Sequence, residues 1–148
     1  MINREKIGQP LSVFTYHIEP VKIKELAEAL GDSNPIYYDL HAAVEAGYPK
    51  IPISPTFPIL FGFWDHEDGF SILENLNIPM SSMLHGEEEY TYLAPVYAED
   101  TITGTVRMTK VDEKQGSTGP FEVVTFEFDY FNQHHEPVLH TRQVAVIH

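Results

Sequence analysis

Apolar and polar positions change period several times along the chain, and each change marks a boundary between predicted elements. Leu11 to Tyr16 is short and rich in β-formers, so it reads as a strand that ends at Glu19-Pro20. From Val21 to Leu30 the apolar residues Val21, Ile23, Leu26, Ala27 and Leu30 fall at helical spacing, with Pro20 suited to a first helical position and Gly31 to a left-handed cap. Asp32, Ser33 and Asn34 favour tight turns, and Pro35 biases Asn34 away from helical dihedrals, so a shaped loop follows. Asp39 then caps a short helix through Ala46, which Gly47 ends. The three prolines between Tyr48 and Pro55 exclude regular helix and central strand. Pro55 to Trp64 is apolar on every side, as a helix buried all round would be, with Ser54 as its cap.

After an acidic connection at residues 65–69, Phe70 to Met80 reads as a short helix or ordered loop of moderate burial. From there the period becomes two, with strands predicted at Met83–Leu93, Thr101–Val111, Phe121–Asn132 and Val138–Ile147. Val124, Phe126, Phe128 and Tyr130 share one face, and Thr125, Glu127 and Asp129 the other, which predicts a sheet wet on one side. Residues 132–137 form the hairpin between the last two strands. Five strands and a buried helix make an α+β domain.

Composition narrows the possibilities. At 148 residues, 43% hydrophobic and 12% aromatic, the chain is expected to form one domain over residues 1–148. A formal net charge of -13 argues against nucleic acid and anionic membrane surfaces as partners. The absence of cysteine excludes disulfides, Cys-ligated zinc and a thiol nucleophile, and fits a reducing compartment. With no apolar signal-like run after Met1 and no stretch of roughly 20 apolar residues, the expected location is the cytoplasm. His66 among acids and the His134-His135 pair lack the convergent spacing of metal ligands, so no metal and no cofactor are predicted.

The loop Gly31-Asp32-Ser33-Asn34-Pro35-Ile36-Tyr37 resembles the Gly-Asp-x-Asn-Pro-Ile-His signature of the MaoC-like hydratases and dehydratases, which have the hot-dog fold. That fold wraps an antiparallel sheet around a central apolar helix, here Pro55 to Trp64. The resemblance implies that Asp32 occupies the position of one member of an acid/base pair and Tyr37 that of the other, which in catalytic relatives is His. Gly47-Tyr48-Pro49, Ser54-Pro55-Thr56-Phe57, His85-Gly86-Glu87, Ala94-Pro95-Val96 and Asp100-Thr101 are similar to segments of the FAS1-like dehydratase N-terminal domains and of substrate-binding dehydratase subunits. In that branch one unit keeps the pair and its partner unit supplies the acyl tunnel. Catalytic relatives tend to have His-Gly where this chain has Pro55-Thr56, at the start of the helix that supplies the oxyanion donor.

Dehydration of a 3-hydroxyacyl thioester needs a base for the α-proton, an acid for the hydroxyl and donors for the enolate oxygen. A His, with an ordinary pKa of about 6.5, can switch between those roles, whereas a Tyr near 10 is a poor base. The resemblance therefore implies an acyl-thioester-binding protein of 3-hydroxyacyl dehydration or enoyl hydration, carried by CoA or an acyl-carrier protein. It pairs as a homodimer or as a heterodimer with a catalytic MaoC-like subunit. The alternatives are an active enoyl-CoA hydratase using Asp32, and a hot-dog thioesterase. The candidate site comprises Asp32 and Tyr37, with His41 as a weaker replacement base, and Asn34, Pro55, Thr56, Phe57, Phe61, His85 and Gly86 as substrate-binding positions. Lys50, Arg107 and Arg142 are the candidate phosphate contacts; Glu87-Glu88-Glu89 reads as a solvated strand face.

Overall fold

A computed structural model describes residues 2–61 and 72–148. Five antiparallel strands, β1 (Pro10–His17), β2 (Met83–Tyr92), β3 (Thr101–Gly116), β4 (Gly119–Phe131) and β5 (Pro137–Ile147), form one sheet in the order β1-β3-β4-β5-β2. Helix α1 (Pro20–Leu30) follows β1, and α2 (Leu40–Glu45) precedes the proline-rich loop. Both helices end as their sequences dictate: Gly31 takes the left-handed conformation at φ 69°, and the Asp39 carboxylate accepts from the Ala42 N–H at 2.9 Å. The packed stripe of α1 is narrower than its periodicity predicts, because Ile23 and Ala27 are buried while Val21 and Leu30 face outward.

The inner face of the sheet carries the core. Val124, Phe126, Phe128 and Tyr130 are each 2% exposed or less, as the alternation along β4 predicts. Each such side chain contributes roughly 1.5–3 kcal/mol on leaving water. Phe14 meets Phe128 and Tyr130 edge-on from β1. Gly104 on β3 lies beneath that contact, and a Cβ there would fall 2.5 Å from Phe14 Cζ and 2.8 Å from Tyr130 Cε1. Glycine is required there by close approach. The outer face is only partly wet: Arg107 donates to Asp129 at 2.6 Å, and His140 Nδ1 lies 2.9 Å from the same carboxylate.

Two expectations are corrected. The apolar stretch from Pro55 starts later, at Phe57, and over Phe57–Phe61 it is a 3-10 helix. Its amides close short rings, Phe57 N–H to the Ser54 carbonyl and Ile59 N–H to the Thr56 carbonyl, while Pro58 offers no N–H to an α-helical ladder. Ser54 contributes its carbonyl and not a side-chain cap; its hydroxyl oxygen is buried and makes no hydrogen bond among the described residues. Residues 62–71, with Phe63, Trp64 and His66, lie outside the described residues. The second correction concerns the acidic run. Glu88 turns inward, where His85 Nε2 lies 3.0 Å away and Gln143 Nε2 donates at 3.3 Å, so only its neighbours face solvent.

Candidate functional site

The signature loop is built by its own side chains. The Gly31 and Asp32 amides return to the Glu28 and Ala27 carbonyls and close α1. The Asp32 carboxylate then accepts from the Asn34 N–H at 2.9 Å, and the Asn34 side-chain oxygen accepts from the Ile36 N–H at 3.3 Å. Asn34 thereby caps a 3-10 turn over Pro35–Tyr37, and Tyr38 Oη donates to the Asp32 carbonyl at 2.5 Å. Successive caps of this kind fix where the next side chain points. That side chain is Tyr37, 8% exposed.

Tyr37 enters a cleft of about 540 Å³. One wall is Ile36, Tyr37, Tyr48, Pro52, Ile53 and Pro55; the other is the continuous segment Tyr92 to Tyr97. The walls are joined by backbone bonds, Ile53 N–H to the Val96 carbonyl at 3.2 Å and Ala98 N–H to the Ile51 carbonyl at 2.8 Å. Tyr92 Oη closes the other side by donating to the Pro55 carbonyl at 2.8 Å. Asp100, buried at the end of the second wall, accepts from the Tyr97 N–H and from Gln133. The cleft is mostly apolar, with phenols as its polar groups, which suits a ligand with a long uncharged arm.

Its electrostatics keep two of those phenols, Tyr37 and Tyr92, neutral. Burial, the nearby Asp32 carboxylate and Tyr48 together raise the Tyr37 pKa above its ordinary value. Burial and the neighbouring Tyr37 push Tyr92 up to about 12. Tyr37 can therefore donate a hydrogen bond in the cleft, and it is a worse base than a free phenol. A raised folded pKa leaves stability intact below the unfolded value of about 10 and removes it as pH rises toward the folded value. Tyr90 and Tyr130 are raised as well, chiefly by burial. Urea unfolding is accordingly expected to show a free energy that falls between pH 10 and 12; a flat profile there would contradict the buried, neutral phenols.

The remaining candidates are placed as follows. Pro55 lines the cleft with Tyr37. Phe57 and Phe61 are fully buried against each other and against Tyr16. His41 is exposed on α2 beside Glu45. His85 and Gly86 lie far along β2 from Tyr92, where the pairing with β5 slips by one residue at Gly86. His85 lines a second, apolar pocket of about 270 Å³ with Ile59, Met83, Phe126, Gln143, Val144 and Ala145. Of the three phosphate candidates, Lys50 faces Asp100, Arg107 is held by Asp129 and Arg142 by Glu87. Sequence reasoning missed Tyr48 and Tyr92 as cleft residues; the only signal was an aromatic beside each proline-containing segment. Among the described residues no three His, Asp or Glu side chains converge as a metal site, and no helix is long and apolar enough to cross a membrane.

Comparison with known proteins places this geometry. The family described as FAS1-like, dehydratase domain region, matches residues 5–141. A UPF0336 protein of Thermobifida fusca is 32% identical over 127 residues, covering 85% of this chain and 80% of the relative. The fold matches a chain of the C-terminally truncated HadBC (3R-hydroxyacyl-ACP dehydratase) complex of Mycobacterium tuberculosis with a TM-score of 0.76 at 16% identity, covering 91% of this chain and 94% of that one. It also matches a chain of the ChsH1-ChsH2 complex of the same organism with a TM-score of 0.67 at 20% identity, covering 96% and 98%. A further match, a MaoC-like dehydratase, has a TM-score of 0.78 at 20% identity and covers 96% of this chain and 42% of that one. The sheet order and these matches identify the hot-dog fold.

Proposed function

The chain belongs to the FAS1-like dehydratase family, and from that premise we propose that it binds an acyl thioester as the substrate-binding partner of a catalytic hot-dog subunit in 3-hydroxyacyl dehydration or enoyl hydration. The observation that carries this reading is Tyr37. It sits buried in the cleft at the position where catalytic relatives have His, and its surroundings raise its pKa away from the range a base needs. Asp32 is half-buried nearby, but its carboxylate is engaged by the Asn34 N–H. Losing general acid/base help typically costs about 100- to 10,000-fold in rate. The binding half of the task survives that loss, because an apolar cleft with phenolic donors still holds a thioester arm. Two structurally similar proteins are themselves hot-dog complexes, which supports a paired arrangement.

The test is hydration of a short-to-medium enoyl-CoA, followed at its ultraviolet absorbance, by the pure chain and by the chain with a catalytic MaoC-like subunit from the same organism. Turnover that requires both chains, with a stable complex between them, is the expected result. Turnover by the pure chain that disappears in Asp32→Asn would replace this reading with a self-sufficient hydratase. Release of free thiol in step with the fall in absorbance would replace it with a thioesterase, since hydrolysis of the thioester ends the same conjugation that hydration ends.

A further inference from the structure

Strand β2 changes phase once. His85 faces Ala145 of β5 and Glu87 faces Val144, so one extra residue, Gly86, is inserted between them. A Cβ at Gly86 would stand 3.0 Å from the Val144 carbonyl oxygen, which favours glycine at the insertion. In a regular strand, residues three apart point to opposite faces. The inserted residue cancels that rule, so His85 and Glu88 both face inward, with His85 Nε2 3.0 Å from the Glu88 carboxylate. Gln143, opposite Glu88 on the ladder, faces inward beside them and donates to the same carboxylate at 3.3 Å.

A carboxylate only accepts hydrogen bonds, and that fixes both of its neighbours. The Gln143 amide must turn its nitrogen to Glu88, which leaves its carbonyl oxygen pointing away. The neutral His85 ring must carry its proton on Nε2, which leaves Nδ1 as an acceptor. Among the described residues neither Gln143 Oε1 nor His85 Nδ1 receives a hydrogen bond. Both side chains line the apolar pocket of about 270 Å³, whose floor is the buried Phe126 and Ala145 and whose mouth lies between the exposed His85 and Ile59. The phenol-lined cleft is elsewhere: Tyr92 is seven residues from His85 along β2, roughly 20 Å at about 3.3 Å per residue.

Apolar walls with two acceptors and no donor suit an apolar body that brings one O–H of its own. An ether of the same shape would leave both acceptors unpaired, and an ammonium would lose its hydration to apolar walls. The volume holds roughly nine atoms the size of a water molecule. We infer that this pocket is a second ligand site and takes a small aliphatic alcohol, a chain or ring of about eight carbons whose hydroxyl donates to Gln143 Oε1 or His85 Nδ1. Glu88 is the positioning residue, acting on the ligand only through the two groups it orients. Neither the pocket nor its acceptors depend on the thioester reading, and the hydration assay leaves them untouched.

Titration calorimetry of the full chain with 1-octanol and with 1-methoxyheptane, an ether with the same non-hydrogen atoms, tests the site, while NMR follows the Met83 and Ala145 methyl signals. Octanol is expected to bind about tenfold tighter than the ether, the worth of roughly one hydrogen bond, and to shift both methyl signals. Gln143→Met should bind the ether as before and shrink the preference for the alcohol. Glu88→Gln frees the Gln143 amide to turn either way, so it should shrink the same preference, and it carries the test if the methionine variant does not fold. Alcohol and ether bound alike, no binding of either, unmoved Met83 and Ala145 signals, or a preference untouched in both variants would overturn the inference. Competition then gives the source of the hydroxyl. Displacement of octanol by 8-hydroxyoctanoyl-CoA and not by octanoyl-CoA supports an alcohol at the end of an acyl group, displacement by neither supports a free alcohol, and equal displacement by both would overturn selection for a hydroxyl.

Discussion

Tyr37→His is expected to raise enoyl-CoA hydration by the pure chain about 100-fold over the wild type. The loop that presents position 37 is complete without the phenol: Asp32, Asn34 and Pro35 set the turn, and Tyr38 ties it to the Asp32 carbonyl. An imidazole there would enter the same cleft beside the same carboxylate, with an ordinary pKa near 6.5 in place of a phenol raised above 10. The gain is placed at the low end of what acid/base help supplies because Pro55, where catalytic relatives tend to have His, has no N–H for an oxyanion. The same substitution combined with Asp32→Asn should lose the gain. If Tyr37→His folds as the wild type does and hydrates no faster, position 37 is not a vacated catalytic position and the proposed function loses its main support.

The second large effect is on stability. Phe57→Ala should lower the unfolding free energy by about 3–5 kcal/mol, the range for deleting a fully buried aromatic. Phe57 is 0% exposed, with its ring 5.7 Å from that of Phe61 and 6.4 Å from that of Tyr16. Domains of this kind hold only about 5–15 kcal/mol in total, so the variant should be largely unfolded in mild urea. Equilibrium denaturation measures it directly. A loss under about 1 kcal/mol would mean that Phe57 projects into a space able to collapse or flood, and its role would move from core to ligand pocket.

Much of the fold was legible because single residues with one physical meaning stand at the boundaries. Pro20 and Gly31 bound α1, Asp39 caps α2, and the alternation in β4 assigns its faces residue by residue. The start of the buried helix was not legible in the same way, since Pro55 and Pro58 permit two initiation points and only tertiary packing chooses between them. Glu88 was misplaced for a related reason. A run of three glutamates reads as solvated, yet strand period two sends the middle one inward, where His85 and Gln143 receive it. The signature motif led to one wall of the cleft. The other wall begins at Tyr92, 55 residues beyond Tyr37, and no local pattern records which distant stretch a loop will face.

The strand order also sets when the cleft can exist during synthesis. The second wall begins at Tyr92, the last residue of β2, and among the described residues β2 is anchored in the sheet through β5, the last of the five strands in chain order. Residues that form both walls are thus translated long before the strand that holds them at the right separation. A nascent chain through β4 carries every cleft residue and no finished cleft, so ligand binding is expected to report completion of the last hairpin and not the appearance of the binding residues themselves.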